Sequence, residues 1–172
     1  MYDARLIANY FLALGNRDQV PIDPMKIQKL VYFAHGWYLA IVKKPLVSET
    51  VEAWKWGPVI PSLYRCFSKY GRNPITEPAT DMTVSLLKSM PPNLGEIPSS
   101  ADEGALIPIL DGVWRAYGSQ SGIQLSNLTH LPDTPWEKTW SANEGRQGKD
   151  IDDALIQQYF ERSINGGERQ AS

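Results

Sequence analysis

The sequence has little of what a catalytic centre requires. It holds one cysteine, Cys66, and two histidines, His35 and His130, in 172 residues. A single cysteine excludes an internal disulfide and points to the cytoplasm, where thiols stay reduced. There is no CxxC pair, HExxH motif, glycine-rich phosphate loop or GxSxG elbow, so no cofactor, metal or enzymatic activity is expected. No apolar run approaches the roughly 20 residues that span a bilayer, and the N-terminus lacks the basic-then-apolar layout of a secretory signal, so no membrane partner is expected. Basic charge is scarce too. Seventeen Lys and Arg against 19 Asp and Glu leave a formal net charge of −2. Nucleic acid is therefore not an expected partner, because counterion release needs clustered cations.

What is present is aromatic. Six tryptophans occur, four of them in two tight pairs, Trp54 with Trp56 and Trp136 with Trp140. The first pair lies in Glu52-Ala53-Trp54-Lys55-Trp56-Gly57-Pro58-Val59-Ile60-Pro61, where no side chain suits catalysis. Tryptophan supplies apolar area and Gly-Pro sets an abrupt change of chain direction, so the segment reads as a scaffold or recognition element.

The rest reads as mostly α, α+β with a minor β element: a compact multi-helix domain with a short strand or hairpin near residues 46–56. Residues 1–166 are expected to form one domain and 167–172 a disordered tail. Leu6, Ile7, Tyr10, Phe11 and Leu14 mark a helix over 3–15, capped by Asp3 and stopped at Gly15-Asn16. Asp23-Pro24 opens a second, central helix with the stripe Ile27, Leu30, Val31, Ala34, Tyr38 and Ile41, ended by Lys43-Lys44-Pro45. Thr50 to Trp56 reads as a strand, paired with a second arm near Leu46-Val47 and broken at Gly57-Pro58. A third helix is expected from Ile60 to Tyr70, burying Ile60, Leu63, Tyr64, Phe67 and Tyr70. Residues 72–100 read as a surface excursion with a short helix over Met82–Met90. Helices follow over 102–118, with Pro108 as a kink or true start, and over Ile123–His130. Thr134-Pro135-Trp136-Glu137 has the form of a capping box, and Asp150 is expected to cap a last helix to Ile164. The buried set Leu30, Val31, Ala34, Tyr38, Leu63 and Phe67 should share one core.

A hydrolase-type site could be drawn from Cys66, His130 and Asp111 or Asp133, but no spacing supports it. His35 fits a core hydrogen bond, and His130 a helix C-terminus. The helix pair over 105–130 resembles a DNA-reading or autoregulatory unit, with Gln124, Ser126, Asn127 and Thr129 able to meet bases. No Arg or Lys lies between Arg115 and Lys138 to position phosphates.

Three blocks together carry a resemblance. They are Lys26-Ile27-Gln28-Lys29-Leu30-Val31-Tyr32-Phe33-Ala34-His35-Gly36-Trp37-Tyr38-Leu39-Ala40, then Glu52 to Pro61, then Leu125-Ser126-Asn127-Leu128-Thr129-His130 followed by Pro135-Trp136. In this order and spacing the chain resembles the SocA-like, or Panacea, antitoxin domain family, which includes phage-associated proteins of the GepA type. The resemblance implies a small helical protein of bacteria and their phages and prophages that neutralises a cognate protein toxin, by masking it or by presenting it to a protease. It implies no catalytic residue and no cofactor. The surface expected to meet the partner is the strand-to-turn segment Trp54, Trp56, Gly57, Pro58 and Val59, joined by Thr129, His130 and Trp136.

Overall fold

The computed structural model of the protein describes residues 1–80 and 103–168. In chain order these form α1 (Ala4–Asp18), α2 (Pro24–Val42), β1 (Glu52–Trp54), β2 (Gly57–Val59), α3 (Pro61–Phe67) running into a 3₁₀ turn (Ser68–Tyr70), α4 (Glu103–Tyr117), α5 (Gly122–Thr129), α6 (Pro135–Ala142), β3 (Lys149–Asp150) and α7 (Asp153–Glu168). The architecture is mostly α, with a three-stranded antiparallel sheet of order β2-β1-β3. The short helix expected over Met82–Met90 lies outside the described residues.

Helix α2 is the spine. Asp23 accepts a hydrogen bond from the Lys26 N–H, and Pro24 takes the first turn, where a missing N–H costs nothing. Fourteen of its 19 residues are buried, and α1, α3, α4, α5, α7 and β2 all pack against it. Leu30, Val31, Ala34 and Tyr38 join Leu63 and Phe67 of α3 in one core, as their stripes require. Gly36 lets α7 come close: a β-carbon there would lie 2.2 Å from the Phe160 ring. That ring meets Trp37 edge-on at 5.1 Å.

Four polar side chains of α2 are buried, and each holds another segment. The Lys26 ammonium donates to the Gly118 carbonyl at 2.6 Å, at the end of α4. Gln28 clasps Ile60, donating to its carbonyl at 3.2 Å and accepting its N–H at 2.9 Å. Lys29 donates to the Pro58 carbonyl at 2.9 Å. His35 accepts the Val47 N–H on Nδ1 at 3.4 Å, which leaves Nε2 to donate to Asp153 at 2.9 Å, joining α2 to the start of α7. A helix that reads as apolar therefore carries a row of hydrogen bonds along its buried length.

Several expectations are corrected. Helix α1 passes through Gly15-Asn16 to Asp18 and closes at Gln19, which takes the left-handed conformation at φ 57°. Gly15 serves close approach, since a β-carbon would stand 2.8 Å from the Ile22 side chain. Ile41 is half exposed, in the last turn of α2 and outside the core. The partner of β1 is β2, not Leu46-Val47, whose backbone pairs with the N-terminus: the Tyr2 N–H donates to the Leu46 carbonyl at 2.7 Å and the Ser48 N–H to the Tyr2 carbonyl at 3.0 Å. Tyr64 is exposed, its ring 4.9 Å from that of Trp54. Pro108 lies inside α4. Of the expected capping box only half forms: Thr134 accepts the Glu137 N–H, while the Glu137 carboxylate accepts from Ser141. Asp150 is drawn into β3 opposite Glu52, so Asp152 takes the capping role, accepting the Ala154 N–H at 2.9 Å. Helix α7 continues to Glu168, four residues past the expected Ile164.

Two predictions follow from the buried polar row. Gln28→Ala strands the buried N–H of Ile60, whose carbonyl keeps the Tyr64 N–H at 3.1 Å, and should lower stability by about 1–3 kcal/mol, read from the denaturant midpoint at unchanged m-value. Lys29 is fully buried, and that burial pushes its pKa down to about 7 from 10.5. Between those two values the unfolded chain holds a proton that the folded chain lacks, so stability should rise with pH across that window and show no Lys29 contribution below it. Denaturation of the parent protein and of Lys29→Met from pH 6 to 10 checks this, the variant losing the rise.

Candidate partner-binding site

Strands β1 and β2 form a hairpin with Lys55 and Trp56 at its tip. Glu52 pairs with Val59, Ala53 with Pro58 and Trp54 with Gly57. Neither tip residue takes positive φ; Gly57 does, at 101°, as in a turn closed by a glycine bulge. A side chain there would also meet Thr129 Oγ1 at 2.6 Å and Lys29 Nζ at 2.8 Å. Pro58 sits on an edge strand, where the sheet loses no donor, and its carbonyl turns inward to Lys29.

The hairpin is held from below by two helices. From α5, Ser126 donates to the Trp56 carbonyl at 2.9 Å. From α6, the Trp136 indole N–H donates to the Trp54 carbonyl at 2.8 Å. His130, the C-cap of α5, donates from Nδ1 to the Ser126 carbonyl at 2.6 Å and turns Nε2 to the Lys55 carbonyl at 3.4 Å. Its ring lies 3.9 Å from that of Trp136, which stacks in turn on Trp140 at 5.4 Å. Thr134 closes the corner by donating to the Thr129 carbonyl at 2.7 Å.

All eight residues singled out in the sequence therefore belong to one locality, divided between inside and outside. Gly57, Pro58, Val59 and Thr129 are buried, and Trp136 is only 6% exposed. These support the hairpin rather than offer a surface. His130 is half-buried. Trp54 is half-buried between Tyr64 and the Glu52 carboxylate, which accepts its indole N–H at 2.7 Å. Trp56 stands out at 61% exposure, with the Lys55 ammonium 5.1 Å from its ring centre. Sequence reading missed Lys29, Ser126 and Tyr64. Lys29 had a signal, a cation, like Lys26, on a helix apolar over much of its circumference. Ser126 and Tyr64 had none, because their partners lie 70 and 10 residues away.

The other constellations do not assemble. His130 is engaged by the Ser126 and Lys55 carbonyls, Asp111 accepts from the Tyr10 hydroxyl at 2.7 Å, and Asp133 pairs with Lys138 at 3.3 Å. Cys66 is half-buried on α3. Among the described residues no cluster of His, Cys, Asp and Glu is arranged to hold a metal ion, and no helix is long and apolar enough to cross a membrane. In the α4–α5 pair, Ser126 and Thr129 are turned inward, which leaves Gln124 and Asn127 as the exposed polar side chains named for base contact.

The family described as antitoxin SocA-like, Panacea domain, matches residues 27–137, a span that holds the hairpin and each of its supports. Antitoxin SocA of Caulobacter vibrioides (strain NA1000 / CB15N) is 36% identical over 135 residues, covering 78% of this chain and 69% of that protein. No solved structure matches the chain. With the match spanning most of the central helix, the hairpin, α5 and the start of α6, the chain belongs to the SocA-like antitoxin family built on the Panacea domain.

Proposed function

We propose that this protein is an antitoxin that binds a cognate protein toxin directly, with the hairpin tip as part of the contact surface. One observation carries the reading: Trp56 is exposed and Trp54 half-exposed on a hairpin whose backbone is fixed by hydrogen bonds from Lys29, Ser126 and Trp136. A rigid aromatic loses little conformational freedom on binding, so most of its contact area is converted into affinity. The protein acts in this reading as a binder and not as a catalyst, in the cytoplasm, where Cys66 stays reduced. Masking needs only this face. Delivery of the toxin to a protease would need a second surface, and we commit to masking.

The product of the gene next to this one should arrest growth when expressed alone, and co-expression of this chain should restore it. A harmless neighbour, or arrest that persists beside the folded protein, removes the antitoxin reading. Two substitutions separate surface from support. Trp56→Ala should change stability by no more than about 0.5 kcal/mol and weaken toxin binding by about 2 kcal/mol or more. Trp136→Ala should lower stability by about 3–5 kcal/mol. Melting temperature and titration calorimetry on both variants check this; a Trp56→Ala protein that binds as tightly as the parent moves the contact surface elsewhere.

A further inference from the structure

Residues 53–76 contain four of the chain's 17 cations, Lys55, Arg65, Lys69 and Arg72, and none of its 19 anions. The fold exposes these four cations on the hairpin tip, on α3 and in and just after the 3₁₀ turn that follows it. Lys55 is at the hairpin tip, Tyr64 and Arg65 project from α3, Lys69 follows one turn later, and Arg72 comes just after the 3₁₀ turn; all five are exposed. Between tip and helix lies the Trp54–Tyr64 ring pair, with Tyr64 47% exposed.

The charges are poorly answered within the molecule. Among the described residues neither Arg65 nor Arg72 has a carboxylate partner. Lys69 reaches Glu77 at 3.5 Å, but both side chains are about two-thirds exposed, and such pairs contribute little. Glu52, the nearest acid before the run, is turned to the Trp54 indole. Arg65 and Lys69, four residues apart, repel one another, a small cost that a complementary surface would remove. Four cations on a chain of net charge −2 fall short of the roughly 6–10 phosphate contacts of a duplex binder. Aromatic rings bordered by Arg and Lys suit a protein surface with an apolar centre and an acidic rim.

We infer that the toxin presents an acidic segment with an apolar or aromatic anchor, the anchor seating against Trp54, Trp56 and Tyr64 and the acids facing Lys55, Arg65, Lys69 and Arg72. This rests on the antitoxin reading and specifies the chemistry of its partner. Rim charges act chiefly on encounter, and central rings on residence. The two parts of the surface therefore leave different kinetic signatures.

The test uses the full chain and the purified product of the adjacent gene, with association and dissociation measured by surface plasmon resonance at low and high salt. The triple variant Arg65→Glu, Lys69→Glu, Arg72→Glu should associate at least about tenfold more slowly, with dissociation changed by less than about threefold. The parent's association should slow as salt rises, and the variant's should not. Tyr64→Ala should instead speed dissociation by about tenfold. A triple variant of equal charge change elsewhere, Lys138→Glu, Arg146→Glu, Arg162→Glu, should stay within about threefold of the parent. If the first triple variant does not fold, as judged by circular dichroism, Arg65→Gln and Arg72→Gln singly should each slow association by about two- to threefold. Equal losses in the two triple variants, or no loss in the first, overturn the inference and leave the antitoxin reading in place. Absence of any complex with the parent protein overturns both. Duplex DNA binding that the first variant abolishes while toxin binding persists assigns the surface to nucleic acid and overturns the inference alone.

Discussion

The structure depends on a row of polar side chains buried in its central helix. Lys26, Gln28, Lys29 and His35 sit where an apolar residue would bury more simply, and each holds the backbone or side chain of another segment. Burying a polar group costs free energy unless it is hydrogen-bonded, and the segments they meet carry the same liability at their own carbonyls and N–H groups. The two costs offset one another only in one arrangement. Apolar packing makes the helix central, and the polar row sets where its neighbours stop along it.

That constraint explains how so small a sheet can be rigid. Two three-residue strands and one of two residues are too short to hold a hairpin by themselves. Lys29 fixes β2 from the helix side, Ser126 fixes the tip, and Trp136 fixes β1. The glycine at the bulge has no room for a side chain because Lys29 and Thr129 already occupy the space. The result is a tip that carries an exposed indole on a backbone with little freedom. The same clamp through Gln28 fixes the start of α3 and hence the position of Tyr64 beside Trp54.

Much of this was legible in one dimension. Asp23-Pro24 announced the start of α2, its apolar positions announced its centrality, and the Trp-Lys-Trp-Gly-Pro run announced a shaped element. Errors arose where a local signal was overridden by a distant partner. Gly15 looked like a stop and serves close packing, because Ile22 returns over it. Asp150 looked like a cap and was taken by the sheet edge at Glu52. Leu46-Val47 looked like the arm of a hairpin, yet its edge is filled by Tyr2 from the opposite end of the local chain. Strand β3 had no pattern to find, since two residues are too few for an alternation to show.

By itself the sequence determined the fold class, the central helix and most of the core, because periodicity, capping and glycine or proline constraints act over a few residues. Only the tertiary structure decided which tryptophans face solvent. Trp56 and Trp136 are alike as residues, and the difference between 61% and 6% exposure comes from helices α5 and α6, folded under the hairpin from some 70 to 80 residues further along the chain. Burial is a property of what packs against a residue, and that partner is chosen by contacts remote in sequence.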